Sequence, residues 1–218
     1  MKAVIIGATG ATGSALVQLL LEDETFSEVK ALVRRPLQQQ HPKLITRVID
    51  FNQPEKWQHE VTGDVAFSCL GTTLKDAGSK VAQYKVDYEY QYAFAKAARD
   101  NNVPYFMLIS ASMANPKSLV FYSRMKGQLE KAVTALHFEH LIIFRPGLLS
   151  RPDTQRKGEK ISESILKWLN NVGLLRNMSP LPVRQLAQLM LHYAKNKFAD
   201  SIQIVESARI LSEVKMLS

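Results

Sequence analysis

Three tyrosines in this chain stand four residues before a lysine: Tyr92 and Lys96, Tyr122 and Lys126, Tyr193 and Lys197. On a helix that spacing puts both side chains on one face. An ammonium beside a phenol favours the phenolate and draws its pKa toward working pH, so such a pair can serve as general acid and base. The spacing alone is common. Tyr122 and Lys126 are singled out by what precedes them, an apolar run that ends Leu108-Ile109-Ser110-Ala111-Ser112. A serine at the carboxyl end of a sheet strand reaches the crevice where open α/β sheets bind ligands. Either Ser110 or Ser112 could polarise a substrate carbonyl there. The Tyr92 and Tyr193 pairs read as helix-surface or packing residues.

A proton donor of this kind works beside a hydride carrier, and the start of the chain is suited to hold one. Val4-Ile5-Ile6 runs into Gly7-Ala8-Thr9-Gly10-Ala11-Thr12-Gly13, and the helical pattern Ala15-Leu16-Val17 and Leu19-Leu20-Leu21 follows at once. Gly7 lets the chain turn sharply off the strand. Gly10 lets the backbone approach a pyrophosphate without a Cβ in the way. Gly13 lets the helix lie close on the sheet, with its free N–H groups toward the phosphates. About 20 residues further on, such a unit reads the adenosine ribose. Here the second strand ends Ala31-Leu32-Val33-Arg34-Arg35-Pro36, with two arginines and no acid. A carboxylate would accept from a 2′-hydroxyl, whereas planar guanidinium forks suit a 2′-phosphate. NADP(H) is therefore expected in preference to NAD(H). Asp50-Phe51, closing the third strand, either flanks the adenine or is turn chemistry.

The elements that position these groups include strands expected at 2–6, 28–33, 44–49, 64–70, 104–111, 140–145 and 202–205. Helical patterns fall near 11–22, 81–101, 120–137, 162–171 and 182–196. The alternation predicts an α/β fold, a doubly wound parallel sheet of the Rossmann type with helices on both faces. One domain is expected over 1–218, its dinucleotide-binding core in 1–150 and a small, partly helical, substrate-side portion with a returning strand in 151–218. Ser150 to Lys160 reads as a surface loop over the site.

Composition narrows the partners. There is no run of about 18 apolar residues and so no membrane span. The N-terminus reads as a first strand, without the basic n-region of a secretory signal. A lone Cys69 excludes an internal disulfide and suits a reducing compartment, which points to the cytoplasm. The net charge of +8 could attract nucleic acid or an acidic membrane surface, or equally hold a polyanionic cofactor. No dense basic stripe with interleaved aromatics is present, so no nucleic-acid partner is expected. His137 and His140 lack a cysteine or carboxylate cluster and read as a solvated turn, with no metal site. Tyr84, Tyr88 and Tyr92 recur every four residues and form a stripe on one helix face, for packing or for a homodimer contact.

The glycine run, the strand-end serine and Tyr122-x-x-x-Lys126 together resemble the short-chain dehydrogenase/reductase superfamily, and the GATGATG form is similar to its extended and atypical branches. Val33-Arg34-Arg35, Cys69-Leu70-Gly71-Thr72-Thr73, Val86-Asp87, Tyr122-x-x-x-Lys126-Gly127 and Phe144-Arg145-Pro146-Gly147 resemble, in the same order, stretches of the Tat-interacting-protein oxidoreductase family. The likeness spans nearly the whole chain and thins after residue 150. The resemblance implies Thr9, Gly10, Ala11 and Thr12 at the pyrophosphate, and Arg34 and Arg35 at the 2′-phosphate. It implies Leu70, Gly71 and Thr72 along the adenosine, Leu149 near the nicotinamide, and a cofactor contact from Arg156 in Arg156-Lys157-Gly158-Glu159. The extended branch carries an asparagine near the position held here by Asp87. By spacing to Tyr122, Ser112 fits the extended pattern and Ser110 the atypical one.

The expectation is an NADP(H)-dependent oxidoreductase that moves hydride to or from a small carbonyl or alcohol. Tyr122 would be its acid/base, Lys126 would hold the nicotinamide ribose, and Ser112 or Ser110 would polarise the carbonyl. The alternative is an NADP(H)-binding regulatory or redox-sensing protein with a protein partner and little turnover.

Overall fold

A computed structural model describes residues 1–150, 180–196 and 201–217. Among these residues the strands are β1 (Lys2–Ile6), β2 (Glu28–Val33), β3 (Leu44–Val48), β4 (Val65–Ser68), β5 (Tyr105–Ile109), β6 (His140–Arg145), β7 (Leu149–Ser150), β8 (Leu181–Pro182) and β9 (Ile202–Glu206). Seven of them form one sheet in the order β3-β2-β1-β4-β5-β6-β9, and every neighbouring pair is parallel. β7 and β8 make a separate parallel pair. The doubly wound parallel sheet is thus the architecture that the alternating pattern predicts.

Parallel strands covered on both faces must be apolar on both. In β1, residues Ala3 through Ile6 are all buried, as is every residue of β4. On one face Ile5, Phe67, Met107 and Phe144 pack beneath α1 (Ala11–Glu22) and α7 (Val183–Lys195), through Leu16, Leu20, Leu186 and Met190. On the other, Val4, Ile6, Ala66, Phe106 and Ile143 pack beneath α5 (Tyr90–Asp100) and α6 (Phe121–Thr134), through Phe94, Ala98, Leu129 and Val133. Each of the large apolar side chains among them contributes about 1.5–3 kcal/mol on burial.

The differences from the sequence expectations have local causes. The helix expected over 81–101 begins at Lys80 and is interrupted. α4 (Lys80–Tyr84) passes into a π turn at Lys85–Glu89 before α5 resumes. The Asp87 carbonyl there accepts a hydrogen bond from Gln91 Nε2 at 2.9 Å, so a side chain supports the turn that hydropathy periodicity cannot register. The strands expected at 64–70 and 104–111 end at Ser68 and Ile109, where the chain leaves the ladder for the loops of the crevice. α6 stops at Thr134, and His137 follows with φ 55°, in the left-handed region. A final helix, α8 (Ser207–Leu217), was not expected. The helix expected at 162–171 lies outside the described residues.

Candidate functional site

The sheet order reverses at β1, whose neighbours are β2 and β4. Loops leaving β1 and β4 therefore part in opposite directions and open a crevice at the carboxyl ends, the usual ligand position in such sheets. The glycines divide by task. Gly7 has φ +80°, and a Cβ there would collide with the Cys69 backbone, so it lets the two loops touch. A Cβ on Gly13 would collide with the Gly7 carbonyl, so Gly13 sets how closely α1 approaches β1. Gly10 is different. A Cβ there would meet only the Gly7 oxygen at 3.2 Å and the Cys69 oxygen at 3.9 Å. No other atom lies within 4 Å of that position, which leaves room for close approach of a phosphate. Gly10 is also the N-cap of α1. It offers no side-chain cap, and the first turn carries no acid. The helix start, with half-buried Ala11 and buried Thr12, keeps free N–H groups and a positive dipole end, while Thr9 is exposed beside it.

At the end of β2 Arg34 and Arg35 are exposed, and among the described residues neither has an ion-pair partner. The Arg34 charge reaches Tyr90, whose hydroxyl donates to Asn52 Oδ1 at 2.8 Å. Phe51 is buried between Trp57 and Tyr90, with ring centroids at 5.9 and 5.2 Å. Asp50 does not offer its carboxylate to a ligand: Asn52 N, Asn52 Nδ2 and Gln53 Nε2 all donate to it, and those bonds hold it below its ordinary pKa. Turn chemistry is the better account of that residue. Leu70 is half-buried and Gly71 exposed. Thr72 is fixed from both sides, its N–H donating to Asp87 Oδ2 at 3.0 Å and its carbonyl accepting from Gln83 Nε2 at 3.1 Å.

The acid–base candidates meet at the end of β5. A Cβ on Gly127 would collide with the backbone at Asn115 and Pro116, so that glycine lets α6 pack on the loop that follows β5. Lys126 is 2% exposed, and its Nζ donates to the Ile109 carbonyl at 3.1 Å. The next residue, Ser110, is buried, and among the described residues its Oγ has no hydrogen-bond partner. Ser112 is only half-buried and is held by its N–H, which donates to the Pro146 carbonyl at 3.1 Å. Tyr122 lies one turn before Lys126 on α6. Its phenol is pushed above its ordinary pKa by desolvation and then by the Asp87 charge. The lowering expected of a Lys-paired tyrosine is not seen in the protein alone, where desolvation and Asp87 both act to raise it. Burial pushes Lys126 down, and Asp87 and then Glu130 oppose it.

The other candidates separate cleanly. Lys96 pairs with Asp100 at 2.6 Å on the helix surface. The Tyr193 hydroxyl donates to Glu213 at 2.8 Å, and Lys197 lies outside the described residues. The Tyr84, Tyr88 and Tyr92 rings do form the expected stripe, with centroids 4.7 and 6.1 Å apart. Burial pushes the Cys69 thiol up, away from reactivity. Leu149 is half-buried in β7, and Arg156 lies outside the described residues. Among the described residues no cluster of metal-ligating side chains occurs. Gln83 and Gln91 went unnoticed in the sequence. They are 4% and 0% exposed, and polar residues on a helix carry no sign that they face inward.

Among the described residues an uncapped helix start, an open glycine face, unpaired arginines and an orphaned buried hydroxyl all fit a dinucleotide. The sequence profile of the NAD(P)H-binding family matches residues 7–166. The chain belongs to that family. Two curated relatives are Protein FMP52, mitochondrial. The one from Eremothecium gossypii is 35% identical over 99% of this chain and 98% of its own length. The one from Saccharomyces cerevisiae is 30% identical over 97% and 95%. Among solved structures, the Bordetella bronchiseptica enzyme WbmH in complex with NAD+ superposes with a TM-score of 0.71 at 15% identity, covering 94% of this chain and 74% of that one. A short chain dehydrogenase from Burkholderia cenocepacia in complex with NADP gives 0.67 at 17% identity, covering 99% and 92%. The fold is the one that these two cofactor-bound structures share, as the motif resemblance implies. One expectation is corrected here. The curated relatives are named mitochondrial, which overturns the cytoplasmic placement. A lone cysteine marks a reducing environment but does not distinguish one reducing compartment from another. Among the described residues no helix is long and apolar enough to cross a membrane.

Proposed function

We propose that this protein is an NADP(H)-dependent oxidoreductase acting on a small carbonyl or alcohol, and that it works in mitochondria as the names of its relatives suggest. One observation carries the reading: the buried, unpartnered Ser110 Oγ adjoins the carbonyl that holds Lys126, one helical turn from Tyr122. A buried hydroxyl without a partner is costly, about 1–3 kcal/mol, and a substrate oxygen would satisfy it. This favours Ser110 over Ser112 as the polarising group.

The residues divide the work. The N–H groups at the start of α1, with Gly10, would hold the pyrophosphate. Arg34 and Arg35 would hold the 2′-phosphate, Gly71 and Thr72 the adenosine side, and Lys126 the nicotinamide ribose. The nicotinamide, when bound, supplies or takes the hydride. Ser110 would donate a hydrogen bond to the substrate oxygen. Tyr122 would donate its proton to that oxygen in the reducing direction, and its raised pKa keeps the phenol protonated for that role. In the oxidising direction it must become phenolate, which the Lys126 ammonium favours.

The raised Tyr122 pKa also suits the rival reading, an NADP(H)-binding regulator with little turnover. Two measurements decide. Calorimetric titration should give tight NADPH binding and weaker NADH binding. Tyr122→Phe should lower turnover on a responsive carbonyl by about 10²–10⁴ with NADPH affinity retained. Equal turnover in Tyr122→Phe and wild type would remove Tyr122 from the chemistry. An absence of turnover across a broad carbonyl panel, with NADPH still bound, would favour the regulator.

A further inference from the structure

Arg145 closes β6 and lies between the two carbonyls that hold the serine loop. The Phe144 carbonyl accepts from Ser110 N at 2.8 Å, and the Pro146 carbonyl accepts from Ser112 N at 3.1 Å. Successive side chains of a strand point to opposite faces. Arg145 therefore shares the face of Leu141 and Ile143, which α6 covers. There its Nε and Nη2 donate to Oε1 and Oε2 of Glu130 at 3.0 and 2.6 Å. Its Nη1 donates to Glu206, on β9, at 2.7 Å.

The two carboxylates differ. The Glu206 side chain is 53% exposed. Glu130 is 5% exposed and stands on α6 one turn after Lys126, so Tyr122, Lys126 and Glu130 form one row at a spacing of four. Apolar packing of α6 on the sheet is non-directional. A planar guanidinium on two carboxylate oxygens sets an angle as well as a distance. The proposed chemistry needs the Ser110 hydroxyl and the Tyr122 phenol at one substrate oxygen, yet Ser110 follows β5 and Tyr122 rides on α6. Arg145 joins the two. The carbonyls on either side of it hold the serine loop, and its fork holds the helix.

We propose that Arg145 and Glu130 are positioning residues of this site: the fork fixes the rotation of α6 against β6, and with it the direction from which Tyr122 and Lys126 meet Ser110. The catalytic meaning rests on the oxidoreductase reading. The clamp itself has a readout that does not. Lys126 Nζ donates to the Ile109 carbonyl at the end of β5, at 3.1 Å, and a turn of α6 would break that bond.

Three variants of the full chain test this. Arg145→Lys keeps the charge and loses the fork. Arg145→Ala with Glu130→Gln removes the fork and leaves no buried carboxylate stranded. Glu206→Gln removes only the exposed arm and is the control. At saturating NADPH and carbonyl, well below each melting temperature, kcat should fall about 10- to 100-fold in the two clamp variants and less than about twofold in the control, since a misplacement of about 1 Å costs about 100-fold. A role in stability alone leaves the kcat of folded protein unchanged. Without cofactor, the Ile109 carbonyl 13C resonance should move in both clamp variants toward its position in Lys126→Met and stay in place in Glu206→Gln. An unmoved kcat or an unmoved Ile109 resonance in the clamp variants overturns the proposal, as does an equal change in the control. Should either clamp variant not fold, the other carries both readouts. A wild type that turns over no carbonyl defeats the oxidoreductase reading, and the Ile109 resonance then decides the clamp by itself. Wild-type turnover that survives loss of the fork defeats only the clamp.

Discussion

Asp87→Asn should change how the stability of this protein depends on pH. Burial raises the Asp87 carboxyl from 3.8 to about 6, against the opposing pull of Lys126 and the Thr72 N–H. In the unfolded chain it titrates at its ordinary value, so the native state is the stronger proton binder. Its contribution to stability is full below pH 3.8 and is lost as pH rises through about 6. At about 1.4 kcal/mol per pH unit the whole loss is about 3 kcal/mol, of which about 2 kcal/mol falls between about pH 4.5 and about pH 7.5. Asparagine keeps the shape and an oxygen for Thr72 N–H, yet does not titrate. The stability difference between variant and wild type should therefore move by about 2 kcal/mol in favour of the variant across that window. Urea unfolding at several pH values reads this as a shift of about 1 M in the relative midpoints, for a slope of about 2 kcal/mol/M. Any constant cost of the new amide cancels in the comparison. Parallel stability curves would mean that Asp87 titrates alike in both states, and the argument for a costly, retained carboxylate would fail.

Other substitutions probe the scaffold and the ligand separately. Gly13→Ala puts a Cβ into the Gly7 carbonyl and should cost about 3 kcal/mol of stability, while Gly10→Ala should cost under about 1 kcal/mol and lose NADPH affinity instead. Equal destabilisation in thermal melts would show that Gly10 is also a packing residue. Arg34→Ala with Arg35→Ala should weaken NADPH by about 10- to 100-fold in calorimetry and leave NADH unchanged. An equal loss for both cofactors would place the arginines away from the 2′-phosphate. Arg145→Ala strands Glu130, which is 5% exposed, and should cost about 2–3 kcal/mol in urea unfolding, with Glu130→Gln in the same background restoring part of it. No recovery would mean that the stem of Arg145, not its charge, matters.

The sheet was legible because parallel strands buried on two faces have to be unbroken apolar runs, and β1, β2 and β6 fall on the expected boundaries. The glycine loop was legible because its constraint is steric and local. Gly7 and Gly13 are small for reasons that lie within a few residues or across one strand. What escaped depends on contacts between distant segments. The π turn needs Gln91 to cap a carbonyl one turn back and Ser68 to hold Gln91 from β4, 23 residues away in sequence. The choice between Ser110 and Ser112 could not be read from spacing. It turns on which hydroxyl is buried without a partner, a property of the packed fold. The cytoplasmic placement failed for another reason: composition reports chemistry, and compartments that share a redox state share it.

The direction of the Tyr122 shift sharpens the electrostatic picture. Pairing with lysine suggested a phenol moved toward neutral pH, but Lys126 is itself pushed down by burial and shares its field with Asp87. At the phenol, desolvation raises the pKa first and the Asp87 charge raises it further. Neutralising Asp87 would leave Lys126 acting on Tyr122 alone as long as the ammonium holds its proton, and that is the proton Asp87 helps to keep. The two effects oppose each other. At a pH where Lys126 stays charged, loss of Asp87 should favour the phenolate. Raising the pH further can only extend that ionisation, because the balance between the charged pair and the neutral pair that share one proton does not depend on pH. Burial of Lys126 weights that balance toward the neutral pair, and Gly127 lets α6 close on Asn115 and Pro116.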